Sequence, residues 1–131
     1  MTLASDDILA IQKLIADYNH YVDAGDGEAF AELFVEDGSL DTGFNVVKGT
    51  DELSGFADVV PTMAPGARHL VSNVSIDGDG DTATAKLYLQ MYSTAGGAGE
   101  TKLVISGVYA DTLRRNGSTW RFVTRKLTVD M

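Results

Sequence analysis

The chain has 131 residues, 44% of them hydrophobic and 22% charged, which suits one globular domain over residues 1–131 with a single core. Ten Lys and Arg against nineteen Asp and Glu leave a net charge of −9, a field that argues against a nucleic-acid backbone or an anionic membrane as the main partner. Cysteine is absent, which excludes disulfides, thiolate nucleophiles and Cys-ligated metal centres.

The first residues carry no basic leader, and Gln12, Lys13, Asp17 and Asn19 interrupt any apolar run long enough for a signal or a span, so a cytoplasmic location is the expectation. From Ile8 to Val22 apolar residues recur at three- and four-residue steps, which predicts a helix with one buried stripe, capped by Ser5 and ended at Ala24-Gly25. Asp26 is placed to cap a second short helix, Gly27 to Phe34, with Phe30, Leu33 and Phe34 on one side. Short strands are predicted at Gly38–Thr42 and Phe44–Lys48, then a third helix from a Thr50 cap to about Val60, stopped by Pro61. After the Pro65-Gly66 turn the period falls to two, and four strands are predicted: Arg68–Ile76, Thr82–Ser93, Lys102–Arg114 and Thr119–Val129. Their separators are Asp77–Asp81, a flexible loop at Gly96–Glu100, and the hairpin dipeptide Asn116-Gly117. The fold class is α+β, with helices covering one face of a curved antiparallel sheet.

Several residues could carry chemistry. The alternating Asp77, Asp79 and Asp81 resemble the start of a calcium loop, but Thr82 and Tyr88 stand where that loop needs Gly and Glu, so a solvated turn is the better reading. The glycines at 96–100 have neither the lysine nor the following helix of a phosphate cradle. His20 lies among polar helix residues and reads as solvent-facing. His69 sits in a strand where alternation puts it on one face with Val71 and Asn73. Tyr18 falls on the helix stripe, and Asp23 precedes the helix stop. Arg125 shares an apolar row with Val123, Leu127 and Val129, where an arginine either snorkels at an edge or meets a buried acid or ligand.

Taken together, Ile11-Gln12-Lys13-Leu14 through Tyr18, Val22 and Asp23, then Phe30–Phe34, Gly66–Asn73, and Asn116-Gly117-Ser118-Thr119-Trp120-Arg121-Phe122 with Arg125 resemble the SnoaL-like branch of the nuclear-transport-factor-2-like (NTF2-like) superfamily. The likeness within that branch is to bile acid 7α-dehydratase, scytalone dehydratase and hexachlorocyclohexane dehydrochlorinase. It implies a cone-shaped, cystatin-like barrel: a strongly bent sheet wrapped by about three N-terminal helices, with an Asp–His pair inside. Asp23 and His69 match that pair. Tyr18 matches the tyrosine of the bile acid dehydratase, and Arg125 an arginine in the dehydrochlorinase pocket. The second pocket histidine of scytalone dehydratase has no counterpart.

The resemblance thus implies a lyase of dehydratase or dehydrohalogenase type acting on a mostly apolar cyclic or polyketide-like small molecule, with Asp23, His69, Tyr18 and Arg125 as catalytic residues. No metal or organic cofactor is expected. A neutral imidazole can take a proton from carbon beside a carbonyl, while a carboxylate on its other nitrogen fixes the tautomer and stabilises the imidazolium. Without a leaving group, the same residues would serve a ketosteroid-isomerase-like isomerase or a polyketide cyclase. A non-catalytic alternative is a ligand-binding or assembly domain, such as the small subunit of a ring-hydroxylating dioxygenase. A homodimer or homotrimer is the expected assembly.

Overall fold

The first helix, α1 (Ser5–Ala24), buries Ile11, Leu14, Ile15, Tyr18 and Val22 along one stripe of the computed structural model, which describes residues 2–94 and 99–130. Ser5 is its first helical residue and not its cap. Ala4 holds the cap position with no side-chain bond, and Asp6 and Asp7 supply negative charge to the first turn. The helix ends as expected at Gly25, whose φ of 70° is left-handed and whose N–H bonds back to Tyr21 and Val22.

Helix α2 (Gly27–Glu32) is capped by Asp26, which accepts a hydrogen bond from the Ala29 N–H at 3.2 Å. It is shorter than predicted, because Phe34 already belongs to strand β1 (Phe34–Asp41) and the Leu33 carbonyl accepts from Phe122 N–H. Strand β2 (Val46–Lys48) follows, then helix α3 (Thr50–Met63), with Gly49 and not Thr50 at its cap. Pro61 does not stop α3. It sits in the last turn, which still closes through the bond from Ala64 N–H to the Val60 carbonyl.

The second half forms β3 (Arg68–Asp79), β4 (Thr82–Ser93), β5 (Lys102–Asn116) and β6 (Thr119–Val129). β3 to β6 pair antiparallel in succession, and the single sheet runs β2-β1-β6-β5-β4-β3. One pairing departs from the expected antiparallel sheet: β1 lies parallel to β6. The turn expected over Asp77–Asp81 is tighter than that: Asp77–Asp79 still belong to β3 and pair with Thr82–Thr84, so the β3–β4 turn is Gly80-Asp81, with Gly80 at φ 63°, and Gly117 turns the β5–β6 hairpin at φ 66°. The predicted loop at Gly96–Glu100 lies mostly outside the described residues.

Register shifts interrupt the ladders between Ser72 and Ser75, at Met91/Tyr92 and at Thr112/Leu113. Such bulges sharpen local twist. The sheet curls around an aromatic cluster of Tyr18, Phe30, Phe34 and Phe122, whose ring centroids lie 4.8–6.4 Å apart in tilted or edge contacts. The shift in β6 also re-phases its inward face. Trp120, Phe122, Arg125 and Leu127 are buried, while Val123 is left off the row that simple alternation gave it. Among the described residues no helix is long and apolar enough to cross a membrane.

Candidate active site

His69 is the second residue of β3, an edge strand, and the last turn of α1 passes beside it. Both oxygens of one carboxylate are committed to this residue: Asp23 Oδ2 accepts the His69 backbone N–H at 3.0 Å, and Oδ1 meets the ring Nδ1 at 2.5 Å. A carboxylate that accepts from Nδ1 assigns the ring proton to that nitrogen and leaves the lone pair on Nε2. The side chains of His69 and Asp23 are only 9% and 14% exposed, so the pair is shielded from competing water. Residues 46 positions apart in the chain are thus brought into one rigid unit.

The imidazole stands in a wall between two spaces. On one side is an open groove of about 830 Å³ between α1 and β3, lined by Asn19, His20, Asp23 and Arg68 among others. His20 is exposed there, as expected, while the Asn19 Oδ1 is buried with no hydrogen-bond partner among the described residues. On the other side is an apolar cavity of about 370 Å³ inside the cone, with walls from Leu40, Phe56, Val60, Leu89, Met91 and Leu127. That volume is at the lower end for small-molecule sites, about 300–1,000 Å³. Among the described residues His69 is the one shared by both linings. The cavity's other polar groups are Tyr18 and Tyr109 from α1 and β5, and Thr42 and Asn45 from the β1–β2 loop. Phe44 and Met63, 76% and 77% exposed, frame the mouth from that loop and from the end of α3.

The four residues singled out from the sequence do not all meet. Asp23, His69 and Tyr18 gather where α1 crosses the start of β3, with Tyr18 and His69 in the cavity wall. Arg125 is 1% exposed and absent from that wall; of the alternatives posed for it, it meets a buried acid. Its Nε donates to Asp111 Oδ1 at 2.9 Å, and its guanidinium carbon lies 3.6 Å from the Tyr109 ring centroid, 4.3 Å from that of Tyr18 and 4.9 Å from that of Phe122. Sequence reasoning missed Tyr109 and Asp111. The signal was present in β5, where Gly107, Tyr109, Asp111 and Leu113 alternate inward.

Burial sets the electrostatics of this floor. It pushes the Tyr18 hydroxyl well above the ordinary phenol range and raises Tyr109 as well, in both cases against the pull of the Arg125 charge. Burial likewise raises Asp111 above the usual carboxylate range, with Arg125 opposing. Arg125 is itself drawn down by burial, but Asp111 and the two phenols outweigh this and hold it charged.

A bent sheet closed by three helices around such a cavity defines the NTF2-like architecture, also called the cystatin-like fold. Residues 4–126 match the SnoaL-like domain, and the chain belongs to that family. No curated protein matches it. Among solved structures it is similar to a protein of unknown function from Mycobacterium tuberculosis, at 33% identity over 95% of this chain and 72% of that one, with a TM-score of 0.87. A cystatin-like protein of unknown function from Nostoc punctiforme shares 28% identity over 99% and 96% of the two chains, with a TM-score of 0.88. A candidate scytalone dehydratase from Novosphingobium aromaticivorans shares 25% over 95% and 85%, with a TM-score of 0.83.

Proposed function

We propose that the chain is a cofactor-independent lyase, of dehydratase or dehydrohalogenase type, acting on a mostly apolar cyclic or polyketide-like carbonyl compound. The observation that carries this reading is the double commitment of Asp23 to His69 beside an apolar cavity. A carboxylate with both oxygens used on one residue is a holder of that residue, and the ring it holds offers Nε2 as the base. His69 takes the proton from carbon α to the carbonyl, and the C–H electron pair moves toward the carbonyl oxygen. Collapse of that enolate expels the β-substituent. A leaving hydroxide recovers the proton from His69 as water, whereas a halide departs and the proton passes to solvent. Asp23 stabilises the imidazolium between these steps, and Tyr18 is the donor facing the developing oxyanion. The apolar walls favour a ring or alkyl body, and the candidate scytalone dehydratase among its structural relatives agrees with elimination chemistry.

Proton abstraction can be tested before the leaving group is known. Cyclic ketones incubated with the protein in deuterated buffer should exchange their α-hydrogens, and β-hydroxy or β-halo analogues should become enones, read by the new absorbance. His69→Ala and Asp23→Asn should each lower both rates by about 10²–10⁴-fold with the fold intact. Activity in the double variant would overturn the assignment. Double-bond migration without elimination would make the chain an isomerase using the same base. No exchange across the panel would favour the binding or assembly role.

A further inference from the structure

Behind the cavity wall formed by Tyr18 and Tyr109 lies an arrangement that packing alone does not require. Arg125 and Asp111, both fully buried, face each other across β5 and β6, yet only one of the guanidinium's nitrogens donates to the acid. Arg125 Nη1 and Nη2 and Asp111 Oδ2 are buried without a hydrogen-bond partner among the described residues. A buried pair with unfilled valences is costly, and apolar side chains of the same volume would pack at least as well. What distinguishes the pair is its place. The guanidinium lies against the rings of Tyr109 and Tyr18, and those two tyrosines are cavity wall, along with His69. Their rings are 6.0 Å apart at 76°, and their phenol groups interact with each other.

We propose that Tyr109 acts with Tyr18 as a two-donor site for the oxyanion formed in the cavity, and that Arg125, held by Asp111, is the positioning charge behind their rings. This rests on the elimination reading above and deepens it. A cation on a phenol face draws electron density from the ring and polarises the O–H outward. It does so from a fixed, dry position, so nothing has to reorganise when negative charge develops. Tyr109 is therefore a catalytic residue, touching the substrate oxygen, while Arg125 and Asp111 act only through the tyrosines. The site suits a planar carbonyl compound whose oxygen points away from the mouth and toward β5.

A stable oxyanion tests this without a known substrate. The affinity of 4-nitrophenolate, measured above the pH at which the free phenol ionises, is compared with that of nitrobenzene, a neutral probe of similar shape. The native protein should prefer the anion, and His69→Ala should keep most of that preference. Tyr109→Phe should reduce the ratio of the two affinities about tenfold, the loss expected for one hydrogen bond to a charged acceptor. Arg125→Met/Asp111→Leu, which removes both charges together so that neither is stranded, should reduce the ratio similarly while nitrobenzene binding persists. Arg125→Lys should restore part of it. A ratio unchanged in Tyr109→Phe, or no preference for the anion in the native protein, overturns the proposal. A preference lost in His69→Ala but kept in the tyrosine and arginine variants also overturns it, and leaves the His69 base assignment standing. Loss of α-hydrogen exchange on His69→Ala is independent of all these readings.

Discussion

Arg125 and Asp111 form an ion pair with neither side chain exposed, so its worth to the fold is set by desolvation against the contact itself. An arginine on an apolar row had two readings, and the register shift opposite Thr112/Leu113 decided between them by turning Arg125 inward beside Asp111. Alternation carries no information about bulges, so the inward turn of Arg125 could not be read from residue spacing, although its partner Asp111 lies on a regularly alternating row of β5. Stability should follow from the burial. Arg125→Met strands a carboxylate in the core and should lower unfolding free energy by about 3–5 kcal/mol. The double variant Arg125→Met/Asp111→Leu should recover most of that loss, as chemical denaturation of the single and double variants will measure. Equal losses in single and double variants would instead mean that the pair is worth its full contact energy to the fold. By contrast Asp23 and His69, whose contact is local to one helix end and one strand start, were identified from the resemblance and are found bonded.

The helices obey propensity except where tertiary contacts outrank it. Helix starts shifted by one residue because Ser5 and Thr50 do not cap, and α3 ran past Pro61 because a proline in the last turn removes only one N–H. α2 and α3 meet through an unusually close approach at Gly27, whose N–H donates to Asp58 Oδ1 at 2.9 Å. A Cβ on Gly27 would fall 2.2 Å from the Ser54 carbonyl oxygen and 2.3 Å from Asp58 Oδ1. The first of these is backbone and cannot swing aside. Gly27→Ala should therefore push the helices apart at a cost of about 1–3 kcal/mol, more than the roughly 1 kcal/mol expected from deleting the hydrogen bond in Asp58→Ala. Thermal melting of the two variants ranks them. Because α3 supplies Phe56, Val60 and Met63 to the cavity, Gly27→Ala should also weaken binding of nitrobenzene, whereas a surface change such as Lys13→Ala should not.

At the scale of the whole molecule, the order of periodicities gave the α+β class and the resemblance gave the cone, but the parallel pairing of β1 with β6 joins strands from opposite halves of the chain and leaves no local trace in sequence. Tyr18 and Tyr109 are each only 2% exposed in the folded chain, which ties global stability to their ionisation. Both have native pKa values raised above the unfolded value of about 10. The native state therefore keeps protons that the unfolded chain releases, and stability, fully present below pH ~10, is lost as pH rises through the raised values. The net charge of −9 grows more negative over the same range as lysines neutralise, and surface repulsion would also lower stability. Salt separates the two causes. At 1 M the Debye length is about 3 Å, so surface repulsion is screened while the desolvation of buried phenols is not. The melting temperature should still fall above pH 10 in high salt, and the fall should be shallower in Tyr18→Phe and in Tyr109→Phe, each compared with its own value at pH 8. An alkaline slope abolished by salt, or one that both phenylalanine variants retain in full, would assign it to surface charge and remove the buried tyrosines from the explanation.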